Sequence, residues 1–238
     1  MSFTKQDCPL RTDEDFRNRA DPGHHHIFSP LENLPIDMIK SFPTSDPLHL
    51  IDLCIMKKLL LTWIKGTKTF RRKFTQLDIS AISSFLKDSN KCIPSEIHRA
   101  VRSLDCISFL KGLEFRTFLS YLSPVILKDY LSKDVYNSFR LLFCAVTICS
   151  SEEHLRFIDI ARVLFEKYIE AAIHIYGEDT ISSNMHLLCH VADDVKIFGT
   201  LDKIRAYPFE NYLGKIKNML RKGDQPLAQV SKRFSECD

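Results

Sequence analysis

The sequence predicts a mainly α-helical fold preceded by an extended N-terminal arm, and three observations carry that expectation. Only 7 glycines stand against 17 phenylalanines, too few for the tight turns of a sheet-rich fold. The chain has 238 residues, 45% hydrophobic and 11% aromatic, enough to bury a substantial core. Apolar residues also recur three and four apart over long stretches bounded by capping residues, the period of an amphipathic helix.

Residues 1–45 depart from that pattern. They hold five of the ten prolines (Pro9, Pro22, Pro30, Pro35, Pro43), mixed charges and a run of His24, His25 and His26, so neither the helical nor the strand period survives. They are read as an extended, loosely packed arm, and residues 46–238 as the helical domain. Three consecutive loop histidines cannot all face one ion, so a structural or incidental role is favoured for them.

The helices follow in order. Ser45 or Asp46 caps a helix in which Pro47 suits the first position and Leu48, Ile51, Ile55, Leu59 and Thr62 keep helical spacing to Gly66. Gln76 to Leu86 and Ser103 to Tyr121 read as helices, with Pro94 and Pro124 as breaks. Ser132 caps a helix whose stripe is Val135, Phe139, Leu142, Phe143 and Val146, and Ser151 opens the longest helix, closed by Gly177. Ser182 or Ser183 starts the next, which ends at Gly199. Pro208 opens another with Phe209, Tyr212, Leu213, Ile216 and Leu220 inward and Glu210, Gly214, Lys217 and Arg221 opposite. A last helix runs from about Pro226 to Phe234.

The net charge of +3 is too small to imply nucleic-acid binding, but its distribution is uneven. Between Met56 and Leu77 lie Lys57, Lys58, Lys65, Lys68, Arg71, Arg72 and Lys73 with no acidic residue. Such a cluster suits phosphate contacts, and Trp63, Phe70 and Phe74 add aromatic rings for stacking on separated strands; the competing reading is a solvated helix end and loop. Lys215, Lys217, Arg221 and Lys222 form a second basic group. The cysteines at 8, 54, 92, 106, 144, 149, 189 and 237 include no CxxC pair, which suits reduced thiols inside a cell. No uncharged apolar run approaches the length of a bilayer, so no membrane partner is expected.

Near the C-terminus, His186 and His190 are four apart, the spacing that puts two metal ligands on one helical face, and a carboxylate, Glu210, follows on another helix. On spacing alone, two histidines packed and hydrogen-bonded in a helical core and an acid on a solvated face are the favoured reading of these residues.

Five segments resemble, in order, the C-terminal part of animal transposases related to the CACTA (En/Spm-like) superfamily. They are CPLRTDEDFRN at 8–18, LPIDMIKSFPTSDPLHLIDLCIMKKLL at 34–60, IPSEIHR at 93–99, EFRTFLSYLSPVIL at 114–127 and the long stretch from NMHLLCH to VSKR at 184–233. One departure stands inside them: Asp46 and His49 are kept, but Cys54 occupies a position where the family has glycine.

The resemblance implies a helical insertion and the glutamate-bearing C-terminal helices of an RNase H-like, DDE-type core. In such cores two aspartates and a glutamate clamp Mg2+ or Mn2+ for DNA cleavage and strand transfer. Glu210 matches the glutamate, and His186 with His190 match half of a structural Zn2+ site whose other half is a CxxC pair. The two aspartates and the CxxC pair are expected upstream of Arg11, where only ten residues stand. The implied function is therefore a transposase-derived protein that is not an enzyme and holds no cofactor of its own. One alternative is a non-catalytic DNA-binding or regulatory module; another is a truncated gene model of an intact transposase. DNA is the implied partner, a homo-oligomer stays open, and the implied address is nuclear.

Overall fold

The computed structural model describes residues 9–23, 25–94, 97 and 99–236. Cys8, His24 and Cys237, and Ser95, Glu96 and His98 of the IPSEIHR segment, lie outside the described residues. Mainly helical architecture is what the chain adopts, and no strand occurs among the described residues. The α-helices are α1 (Asp13–Arg17), α2 (Lys57–Lys65), α3 (Gln76–Ser89), α4 (Gly112–Thr117), α5 (Ser123–Tyr130), α6 (Lys133–Ser150), α7 (Ile158–Tyr176), α8 (Ser183–His186), α9 (Val191–Phe198), α10 (Tyr207–Met219) and α11 (Pro226–Ser235). They fall into two compact units, 1–204 and 205–238. Among the described residues no helix is long and apolar enough to cross a membrane.

The N-terminal segment is more structured than its prolines suggest, because its arginines cross-link it. Thr12 caps α1, and Arg17 donates to the carbonyls of Glu32 and Ile36 at 2.7 and 2.8 Å. Arg19 grips the buried Glu32 carboxylate with two hydrogen bonds, at 2.9 and 3.1 Å. The end of this segment is fastened by Asp194 of α9, whose carboxylate accepts the N–H groups of Thr44 and Ser45 at 2.8 and 2.9 Å.

Asp46 then caps the helical run to Lys65, accepting from the N–H groups of Leu48 and His49, with Pro47 in the first turn. The run opens as a π-helix over Pro47–Met56, so its buried face is broader than the 3.6-residue stripe and also takes in Leu50 and Asp52. Cys54 on this run accepts from Asn184 Nδ2 at its Sγ, at 3.1 Å.

The helix expected over 103–121 is instead a 3-10 turn, Leu104–Phe109, a break at Leu110 and Lys111, and then α4. The cause is the fully buried Glu114 carboxylate. It accepts from Arg102 Nε and an Arg102 Nη at 2.8 and 2.7 Å and from the Lys111 N–H at 2.9 Å, folding the chain back on itself. Pro124 does not interrupt the chain, because a π-helical stretch, Phe118–Leu122, absorbs the misfit and places the proline in the first turn of α5.

Burial pushes the Glu114 carboxyl up, but the Arg102 guanidinium and the N–H groups of Lys111 and Arg102 outweigh it and hold the group below its ordinary 4.5. A depressed folded value means stability that is present above the unfolded value and lost as pH falls through the folded one. Glu114→Gln is therefore expected to cost about 2 kcal/mol at neutral pH. The gap between parent and variant should close as denaturation is repeated below pH 4.5; an equal cost at pH 3 and pH 7 would contradict this account.

Helices α6 and α7 form a hairpin joined through a 3-10 turn, Glu152–Phe157, with which the longest predicted helix opens. Their facing stripes bury Phe139, Leu142, Phe165 and Tyr168, and α2 adds the fully buried Trp63, whose ring meets Phe139 edge-on at 5.8 Å. Gly177 ends α7 at φ 89°, and a Cβ there would lie 3.0 Å from Thr69, so this glycine both closes the helix and admits the loop after α2.

In the second unit, Tyr212 of α10 stacks on Phe234 of α11 with centroids 6.5 Å apart. Phe209, Tyr212 and Leu213, expected inward, are exposed, because the short hairpin of α10 and α11 offers too little surface to cover them.

Candidate nucleic-acid interface

The basic cluster after Met56 is divided by the fold. Gly66, at φ 73°, stops α2, and the chain reverses through a turn in which Thr67 N–H donates to Phe70 O at 2.8 Å and Phe70 N–H to Thr67 Oγ1 at 2.9 Å. Phe74 N–H then donates to Trp63 O at 2.7 Å, and Thr75 caps α3. Phe70 packs against Tyr176 with ring centroids 5.1 Å apart, and the Tyr176 hydroxyl accepts from Trp63 Nε1 at 3.0 Å. Phe70 thus holds the loop against α7, and Phe74 holds its end against Trp63 of α2.

That anchoring corrects one expectation. Trp63, Phe70 and Phe74 are buried, so none is a free surface for base stacking; their rings are spent on the core. Lys58 is turned toward the protein. Its Nζ donates to Thr180 O at 2.5 Å, and burial lowers the pKa of its ammonium. Lys57 is half-buried. Lys65, Lys68, Arg71, Arg72 and Lys73 are exposed, and none makes an ion pair within the described residues. Five cations on a loop of fixed shape form a surface matched to a phosphate backbone, whose contacts supply most sequence-independent affinity.

The second basic group belongs to the unit 205–238. Lys215, Lys217, Arg221 and Lys222 are exposed, but α10 ends at Met219, so Arg221 does not continue the face of Glu210 and Lys217 as the spacing predicted. Leu220 turns extended, and Gln229 of α11 clamps the following loop: its Oε1 accepts the N–H groups of Arg221 and Lys222, and its Nε2 donates to the carbonyls of Lys222 and Asp224. Glu210 is exposed in the first turn of α10, where the helix dipole favours a carboxylate.

His186 closes α8, and the next four residues wind as a 3-10 helix, Leu187–His190. At three residues per turn this takes His190 off the shared α-helical face, yet the two rings stay adjacent, with centroids 5.5 Å apart in a T-shape. Burial, then the charge of His190, lowers the pKa of His186, which favours the neutral ligating form. Burial, then the Glu166 carboxylate, pushes the thiol of the neighbouring Cys189 up to about 11. Among the described residues no group of three or more His, Cys, Asp or Glu side chains is placed to hold a metal ion. The histidines therefore fit at most half of a tetrahedral zinc site, and Glu210 does not fit a two-metal centre by itself.

Thiol titration distinguishes these environments. In the native chain Cys92 and Cys144, both exposed, are expected to react quickly with a disulfide reagent at neutral pH. Cys149, which burial raises to about 12, and Cys189 should react only on unfolding. Rapid native labelling at Cys149, read by peptide mapping, would contradict the packing of α6.

Sequence reasoning passed over Ser138. The helical stripe of α6 runs through Val135, Ser138, Phe139 and Leu142, and a serine at a core position of an apolar stripe was the signal available. Arg102 and Glu114 were equally silent, because their partnership spans a break that no local pattern shows. No protein-family model matches the chain, nor does any curated protein or solved structure.

Proposed function

We propose that this chain is a transposase-derived protein that binds nucleic acid without cutting it, through the loop carrying Lys65, Lys68, Arg71, Arg72 and Lys73. The observation that carries the reading is that these five cations are exposed, make no ion pair among the described residues and stand on a loop pinned by Phe70, Phe74 and Gly177. A merely solvated helix end has no need of such anchoring. The ancestry rests on the five ordered segments of sequence resemblance. In that reading Glu210 is the inherited carboxylate, and His186 with His190 are the inherited half of a zinc site. Loss of cutting follows from the two-metal requirement: one exposed glutamate cannot position two divalent ions.

The test is a titration of the purified chain against duplex and single-stranded DNA over a range of salt. Contact with about four phosphates predicts a slope of log affinity on log salt near −3.6 for duplex. Affinity indifferent to salt, or none below millimolar, would remove the proposal. Cleavage or strand joining with Mg2+ or Mn2+, abolished by Glu210→Gln, would overturn the non-catalytic half alone.

A further inference from the structure

A cleft of about 820 Å³ opens beside the basic loop. The loop from Thr69 to Arg72 forms one wall, the first turns of α6 a second, and the last turn of α7 with His174 and Ile175 the third. Its volume lies within the roughly 300–1,000 Å³ typical of sites for small organic ligands.

The walls differ in chemistry. Arg71 and Arg72 bring two positive charges. The 18-residue helix α6 begins here, and Ser132 at its N-cap makes no side-chain capping bond, so the partial positive charge at the start of α6 lies against the cleft uncapped. Asp134 lines the same cleft and opposes them. One carboxylate against two guanidiniums and a helix N-terminus suits a single phosphate and disfavours a polyphosphate.

Val135, Leu141 and Ile175 make an apolar surface of a kind that takes the face of a ring, with the buried Phe70 behind the loop wall. Within that surface Ser138 is 3% exposed, and its Oγ has no hydrogen-bond partner among the described residues. A buried hydroxyl left unpaired is costly to the fold, and its persistence in a cleft points to a ligand atom that completes it. Asn137, exposed on the next position of α6, adds an amide that both donates and accepts.

We infer that the cleft holds one nucleoside monophosphate unit, supplied by an unpaired stretch of a nucleic-acid strand. The phosphate sits at Arg71, Arg72 and the N-terminus of α6, the base lies on Val135, Leu141 and Ile175, and the base edge pairs with Ser138 and Asn137. This rests on the nucleic-acid reading above and adds to it a preference: a base inside a duplex cannot enter the cleft, whereas an unpaired one can.

The experiment compares a fluorescent single-stranded oligonucleotide with its duplex by anisotropy on the full chain, with free deoxynucleoside monophosphates as competitors, in the parent and in Ser138→Ala and Asn137→Ala. Single strands are expected to bind at least about tenfold tighter than duplex. Ser138→Ala removes an unpaired buried hydroxyl, so its Tm should hold or rise while single-strand affinity falls about fivefold and duplex affinity stays unchanged. Asn137→Ala should act in the same direction. Equal affinity for single strand and duplex, unmoved by either variant, overturns this inference and leaves the basic loop as a general phosphate surface. A free monophosphate bound in a Ser138-dependent way, with strands ignored, keeps the cleft's chemistry, identifies the free nucleotide as its source and removes the nucleic-acid reading. No binding of strand or monophosphate overturns both.

Discussion

Trp63→Ala is expected to destabilise the chain by about 3–5 kcal/mol, a large part of the roughly 5–15 kcal/mol that holds a typical domain folded. The side chain is fully buried among Phe74, Phe139 and Tyr176, so truncation opens a cavity that three rings in different orientations cannot close together. It also removes the donor to the Tyr176 hydroxyl, which is itself buried deeply enough that its pKa is pushed up. Trp63→Phe separates the two losses. It retains most of the apolar volume and removes only the hydrogen bond, and about 1–2 kcal/mol is expected. Trp63 is the sole tryptophan, so denaturation of the variants is followed by helical circular dichroism rather than fluorescence. Midpoints within error of the parent for Trp63→Ala would mean that α2 does not pack on the α6–α7 hairpin.

How much of this could be read from the chain depends on the range of the forces involved. Asp46 with Pro47, Gly177, Gly199 and Pro226 mark helix ends through their own backbone preferences, and the structure places helix boundaries at each. The break at Leu110 is set by Glu114 reaching back to Arg102, a contact between side chains twelve positions apart that helical periodicity cannot reveal. The 3-10 winding of Leu187–His190 likewise leaves no local mark, so the two histidines were expected on one α-helical face. In the candidate interface the charges were legible and the aromatics were not. An aromatic next to a lysine reads as a stacking surface until tertiary contacts show that Phe70 and Phe74 pin the loop from inside. The inward turn of Lys58 is hidden for the same reason, since its acceptor, Thr180, lies 122 positions away. Ser138 was in view throughout, but a single hydroxyl in an apolar stripe gains meaning only once a cleft is seen beside it.

Replacing Lys65, Lys68, Arg71, Arg72 and Lys73 together by glutamine is expected to abolish most of the nucleic-acid affinity while leaving stability nearly untouched. The fold should tolerate it, because all five are exposed and without ionic partners among the described residues, and isolated surface charges contribute little to folding. Binding should not, because each phosphate contact releases counterions, and losing about four contacts removes most of the salt dependence. The parent is expected to lose affinity by roughly a hundredfold between 50 and 200 mM salt, and the variant by only a few-fold. The matching replacement of Lys215, Lys217, Arg221 and Lys222 is the control, since it alters net charge by a similar amount within the other unit. If affinity depended only on overall charge, the two variants would weaken alike. A larger loss in the loop variant shows that fixed geometry matters, since a pinned loop spends less conformational entropy when it meets the phosphates than long side chains on a short helical hairpin do. Equal or greater loss in the control would move the interface to α10 and the loop after it.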